Sequence, residues 1–178
     1  MHIILGPPGV GKTTHCKLFA KKYDHHWVSA GAILRKKATG LHREVMESGG
    51  LVDDEYVNQL IKDELDAYDV QESLKILLDG FPRDFSEARW IIESYAADVR
   101  SIVLIDAPEH ILTDRLKKRG RADDTEEAIA HRLSIFKEET DPILEYFASA
   151  GVQIVQVDGT KDVETVNREF AAALGQEL

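Results

Sequence analysis

The sequence predicts an α/β fold, a five-stranded parallel sheet with helices on both of its faces. Three observations predict it. Five short apolar runs read as buried strands, at residues 3–5, 27–29, 76–79, 102–105 and 152–157. Longer stretches with helical spacing separate them, and strands that alternate with helices build parallel sheets. The first run also leads into a glycine-rich turn and then a helical stretch.

The helical stretches carry their own signals. Residues 12–22 follow the glycine-rich turn. Pro108 falls just after the fourth run, where a first-turn proline is tolerated. Thr125 can cap a helix whose first turn holds Glu126 and Glu127, favourable against the N-terminal dipole. Val163, Val166, Phe170 and Leu174 recur every three or four residues, and Gly175 follows as a stop. Residues 30–71 and 120–124 fit no alternation and are expected as long connections. In α/β folds, ligands sit among such connections at the carboxyl ends of the strands.

No repeat, low-complexity segment or linker breaks the chain, so its 178 residues form a single domain. The net charge of −10 excludes a bulk nucleic-acid or acidic-membrane binder, which needs a basic field. A small polyanionic substrate needs only a local basic cluster. No apolar run reaches the ~18 residues of a membrane helix, and the first residues lack a signal-peptide pattern. Cys16 is the single cysteine, so there is no intrachain disulfide and no thiolate-rich zinc site. The expected compartment is the cytoplasm. Cys16 is expected to be packed and unreactive. His25 and His26 are expected in a loop, and Trp27, Trp90 and Phe136 as packing residues.

Gly6-Pro7-Pro8-Gly9-Val10-Gly11-Lys12-Thr13 matches the phosphate-loop pattern G-x-x-x-x-G-K-[ST], between a strand and a helix as that pattern requires. Its glycines let backbone N–H groups turn inward onto phosphate oxygens, and the helix N-terminus adds partial positive charge. Lys12 can reach the β- and γ-phosphates, and the Thr13 hydroxyl can ligate Mg²⁺. Asp79 ends an aliphatic strand, as a carboxylate holding Mg²⁺ through water does in such enzymes. Taken alone, it could equally cap the next turn.

Asp79-Gly80-Phe81-Pro82-Arg83 resembles the D-G-[FY]-P-R signature of adenylate kinases and their UMP/CMP relatives. Ser29-Ala30-Gly31-Ala32-Ile33-Leu34-Arg35 resembles the family's S-T-G-D-[ML]-L-R segment. Gly50-Leu51-Val52 resembles its G-x-[LI]-V turn, and Gly120-Arg121-Ala122-Asp123-Asp124 its G-R-x-D-D lid segment. Val157-Asp158-Gly159-Thr160 resembles the exit of its last strand. The similarity runs over residues 2–174.

The resemblance implies a P-loop NTPase-type fold with a core of residues 1–28, 59–115 and 126–178. An NMP-binding insertion would span about 29–58 and a very short lid about 116–125. It implies a monomer that transfers the γ-phosphoryl group of ATP to AMP, with Mg²⁺ and without zinc. ATP would lie against Gly9, Val10, Gly11, Lys12, Thr13, Thr14, Arg115, Arg119 and Lys161. The monophosphate would meet Ser29, Ala30, Arg35, Leu51, Val52, Gly80, Arg83, Glu87, Arg121 and Arg132. Catalysis would rest on Lys12, Arg83, Arg119, Arg121 and Arg132, with Thr13 and Asp79 at the metal. The acceptor phosphate is already anionic near neutral pH, so charge neutralisation and alignment are needed rather than a general base. Arginine suits that task because its planar fork engages phosphate oxygens in pairs. Asp123 and Asp124 would act near the lid hinge or cap the following helix.

Two positions depart from the family. Ala30 stands in place of a threonine, and Glu87 in place of a glutamine. An ionised carboxylate only accepts hydrogen bonds, so Glu87 would suit guanine better than adenine. A GMP, UMP or CMP kinase is therefore the alternative to an AMP kinase. A nucleotide-binding switch is the rival from another class, but its N-K-x-D and D-x-x-G strings do not occur.

Overall fold

The structure, a computed structural model, describes residues 1–121 and 123–176. Ala122 of the lid segment lies outside the described residues. Strands β1 (His2–Leu5), β2 (His26–Ser29), β3 (Ile76–Asp79), β4 (Ser101–Asp106) and β5 (Gln153–Asp158) form one sheet in the order β2-β3-β1-β4-β5. Every neighbouring pair is parallel. The predicted run 76–79 coincides with β3, and the other four differ from their strands by one residue at one or both ends. β4 extends at both ends because Ser101 pairs with His2 and Asp106 with Asp158. His26 opens β2 instead of lying in a loop, because it pairs with Ile76.

The helices are α1 (Lys12–Tyr23), α2 (Ala30–Lys37), α3 (Gly40–Glu47), α4 (Asp54–Leu65), α5 (Val70–Ser73), α6 (Phe85–Tyr95), α7 (Glu109–Arg119), α8 (Glu126–Ser149) and α9 (Val163–Ala173). Residues 30–71, expected as a connection, are thus largely helical. Three of these helices start on side-chain caps, from Ser29, Asp53 and Asp69, while α3 has none. Tertiary burial holds them: Leu34 of α2 and Val57, Ile61 and Leu65 of α4 are in the core. The expected 58/59 boundary of the insertion falls inside α4.

Side chains alternate across the strands and build two cores. One face packs Ile3, Leu5, Ile76, Leu78, Ile102 and Leu104 against α2, α4, α6 and the C-terminal half of α8. The other packs Ile4, Leu77, Val103 and Ile105 against α1, α7, α9 and the N-terminal half of α8. Helix α8 therefore serves both cores. Pro142 lies within it and offers no N–H to the carbonyl of Glu138.

Caps behave largely as the sequence indicates. Thr125 accepts the Ala128 N–H at 3.2 Å. Pro108 is itself the cap of α7, one place before the first turn where it was expected. Val163, expected on the buried face of α9, is exposed, while Val166, Phe170 and Leu174 are buried. Gly120 ends α7 in the left-handed region (φ 61°), and a Cβ there would meet nothing within 4 Å. In the strand order, β1 has β3 on one side and β4 on the other. Winding reverses there, so a ligand crevice is expected beyond the C-terminal ends of these strands.

Candidate active site

A cavity of about 370 Å³ occupies that position. The phosphate loop leaves β1 and forms its floor. Gly6 has φ 147°, and a Cβ there would lie 2.2 Å from the Ile105 carbonyl oxygen, so a side chain would push the loop off β4. Gly11 caps α1 at φ 104°, which leaves the helix N-terminus directed at the cavity.

Lys12 Nζ donates to the carbonyls of Gly6 and Pro7, at 2.6 and 3.0 Å. These are loop contacts that a phosphate can replace. Burial lowers the Lys12 pKa to about 8, with nearby Asp79 partly offsetting the loss. The Thr13 hydroxyl donates to Asp79 Oδ2 at 2.7 Å, across 66 positions of sequence. Both side chains line the cavity. The pair is a set of hard oxygen donors beside a phosphate loop, which fits Mg²⁺ and not a soft metal.

The opposite walls are cationic. Arg35, Arg83, Arg115, Arg119, Arg121 and Arg132 all line the cavity. Arg83 Nε donates to the Gly80 carbonyl at 3.1 Å. A Cβ on Gly31 would lie 3.2 Å from an Arg35 guanidinium nitrogen and 3.4 Å from one of Arg83, so this glycine makes room for the arginine pair. Burial lowers the Arg35 pKa, and Arg121 lowers it further. Arg115 Nη1 instead donates to the Gly159 carbonyl at 2.9 Å, which ties α7 to the exit of β5.

Asp123 and Asp124 do not cap α8; that place belongs to Thr125. They are arginine partners. Asp124 accepts from Arg119 (2.6 and 2.8 Å), Arg132 (2.9 Å) and the Arg121 N–H (3.1 Å). Asp123 accepts from Arg132 at 3.2 Å. Burial would raise the Asp124 pKa, but the bonds from Arg119 and Arg132 hold it well below the usual carboxylate range.

Most of the predicted residues meet at this cavity: Gly9, Gly11, Lys12, Thr13, Thr14, Ser29, Leu51, Asp79 and Gly80 lie in its wall with the arginines. Five do not line it. Val10, Ala30 and Val52 are buried beneath the surface. Lys161 is paired with Glu169 at 2.6 Å. Glu87 is 2% exposed and accepts the Arg83 backbone N–H at 2.6 Å. It also lies with Asp54 and Asp84 in a group whose oxygens are within 4.8 Å of one another. Burial, and then the charge of Asp84, push its pKa up to about 8.

Sequence reasoning assigned Trp27 and Phe136 to packing alone. Phe136 lines the cavity, and Trp27 Nε1 donates to Asp79 Oδ2 at 3.1 Å. Strand parity carried a signal for Trp27: it precedes Ser29 by two residues, and Ser29 pairs with Asp79 in the parallel register. Cys16 is packed as expected, fully buried with its thiol pushed up by burial.

A family model described as Adenylate kinase matches residues 4–152. The chain is 35% identical to the adenylate kinase of Prochlorococcus marinus (strain MIT 9211), over 97% of this chain and 96% of that one. It is 33% identical to the adenylate kinase of Oenococcus oeni, over 92% of each chain. It is 34% identical to that of Thermus thermophilus, over 97% of this chain and 96% of that one.

Proposed function

The chain belongs to the adenylate kinase family, and from that premise we infer that the cavity beyond β1 and β3 is where the γ-phosphoryl group of ATP passes to AMP, giving two ADP. One observation carries the assignment to this site. Lys12, Thr13 and Asp79 line the same cavity as Arg35, Arg83, Arg119, Arg121 and Arg132. Phosphoryl transfer asks for that juxtaposition, because both substrates are polyanions and the transferred group spreads negative charge over its equatorial oxygens.

The proposed division of labour follows the geometry. The phosphate loop and Lys12 hold the β- and γ-phosphates of ATP. Arg35 and Arg83, brought together over Gly31, grip the acceptor phosphate. Arg119, Arg121 and Arg132, held in place by Asp123 and Asp124, turn their remaining donors to the oxygens of the transferring group. Thr13 and Asp79 would hold Mg²⁺, which when bound supplies neutralisation of the β- and γ-oxygens. Arg115, bonded to Gly159, would lie against the ATP base. The segment at about 29–58 would close over AMP and that at about 116–125 over ATP, excluding water from the reaction.

Burial of Glu87 removes the case for another base. Its carboxyl group does not line the cavity and is engaged by the Arg83 backbone N–H at 2.6 Å. The preference for guanine needs a Glu87 carboxylate that reaches the acceptor base, so it loses its premise. Among the described residues no helix is long and apolar enough to cross a membrane. A cytoplasmic monomer is the proposed working form.

The test is ADP formation from ATP, Mg²⁺ and AMP, with GMP, UMP and CMP as competing acceptors. AMP is expected to give the highest kcat/KM, and Lys12→Met to abolish turnover in a folded protein. No diphosphate with any acceptor would refute the kinase reading, and a better acceptor than AMP would refute the base assignment.

A further inference from the structure

Asp79 is 3% exposed, and two donors converge on the same one of its oxygens: the Thr13 hydroxyl at 2.7 Å and the Trp27 indole N–H at 3.1 Å, both on Oδ2. Among the described residues no donor is bonded to Oδ1. The carboxylate is therefore turned by its neighbours so that one oxygen is anchored and the other is left for a ligand.

The two donors differ in kind. The Thr13 hydroxyl is a rotor with lone pairs, and it is itself a candidate metal ligand, so its bond to Asp79 has competing uses. The Trp27 N–H has no rotor of its own and can only donate. The indole is held in turn. β2 pairs Trp27 with Leu77 and Ser29 with Asp79, which puts the ring on the same sheet face as the carboxylate, one step along. Lys17 Nζ stands 4.3 Å from the ring centroid, where the cation is attracted to the π-face and draws density from the N–H.

We propose that Trp27 is a positioning residue for phosphoryl transfer, its indole N–H fixing the Asp79 carboxylate in the orientation that the metal–nucleotide complex requires. The proposal rests on the phosphotransfer reading of the cavity and adds to it a residue outside the phosphate loop and the arginine cluster. Trp27 does not line the cavity. It acts through Asp79, so its loss weakens the metal site and the chemical step while leaving acceptor binding alone.

Two variants separate the donor from the ring. Trp27→Phe keeps an aromatic ring against the sheet and removes the N–H. Trp27→Gln loses the ring but keeps an amide N–H at the same bond count from Cβ. Metal affinity is read without turnover, by electron paramagnetic resonance of Mn²⁺ binding to the protein with β,γ-methylene-ATP. For Trp27→Phe, the Mn²⁺ Kd and the Mg²⁺ half-saturation are expected to rise about tenfold and kcat to fall by a similar factor, the size of one charge-assisted hydrogen bond. The KM for AMP should stay within about twofold, because uniform substrate binding is untouched. Trp27→Gln should recover the Mn²⁺ affinity to within about threefold while unfolding more easily, since the donor returns and the packing does not. Wild-type Mn²⁺ affinity in Trp27→Phe would overturn the proposal, and so would a Trp27→Gln protein as weak for Mn²⁺ as Trp27→Phe. A wild-type protein that makes no ADP would instead refute the kinase reading, and the Mn²⁺ measurement would still stand.

Discussion

Arg119 and Asp124 meet fork to fork: Nε donates to Oδ2 at 2.8 Å and Nη2 to Oδ1 at 2.6 Å. The end of α7 is thereby tied to the turn before α8. With Arg132 and the Arg121 N–H on the same carboxylate, one nearly inaccessible side chain gathers three arginines of the cavity wall.

Asp124→Asn keeps the shape and removes the charge. We predict a loss of about 2 kcal/mol in stability, a discounted figure for a pair whose arginine is partly exposed. We predict also a roughly tenfold fall in kcat, as the arginines lose their common reference point. Thermal unfolding and steady-state kinetics measure both. In the wild type the Asp124 carboxylate lies below its ordinary value of 3.8. Its contribution is therefore present above that value and drains away as the pH falls below it. A variant with wild-type melting and rate would contradict the assignment.

Lys12, lowered to about 8 by burial, is partly deprotonated at pH 8 in the free protein. ATP phosphates raise its affinity for a proton, so binding at pH 8 should take up about half a proton. Titration calorimetry in two buffers of different ionisation enthalpy reads this directly. The uptake should disappear at pH 6.5, where Lys12 is already protonated and any proton exchanged comes from the phosphates, and its absence at pH 8 would be the contrary result.

Glu87, raised from 4.5 to about 8 by burial and then by Asp84, holds a proton in the fold that the unfolded chain releases. Its contribution is complete below pH 4.5 and is lost as the pH rises to about 8. The slope approaches 1.4 kcal/mol per pH unit, about the value of one proton difference. Glu87→Gln, uncharged throughout, should flatten urea stability between pH 5 and 9 and be the more stable protein at the alkaline end. Parallel profiles for the two proteins would refute it.

Gly31→Ala separates stability from function. Alanine favours the helix by about 1 kcal/mol, yet its Cβ would press on the guanidinium groups of Arg35 and Arg83. Melting should hold or rise while the KM for AMP increases about fivefold, through a displaced arginine pair. An unchanged KM would mean that these arginines do not hold the acceptor.

What the sequence made legible was contiguous. The phosphate loop and the Asp79–Arg83 segment are strings whose chemistry depends on neighbours in the chain, and the arginines follow in register with them. What it hid was long-range pairing. Trp27 reaches a carboxylate 52 positions away, and only the β2–β3 register discloses it. Glu87 reads in sequence as an ionised base reader, but it is buried and α4 brings Asp54 beside it from 33 positions away. The helices at residues 30–65 were obscured because their apolar faces are short and their strongest cues, Ser29 and Asp53, resemble turn residues. Asp124 follows the pattern of a helix cap in sequence, but Thr125 beside it takes that bond.

Gly120 turns the chain between α7 and α8 into open space, and the anchors that hold the two helices lie to either side of it. Such a junction has room on its outer side. A longer segment spliced in after Gly120 would leave either core untouched so long as Arg121 kept its bond to Asp124, so this point is suited to be a cassette boundary. Kinases built on this frame can thus be given covers of different length, and protein engineers have one place at which to exchange them.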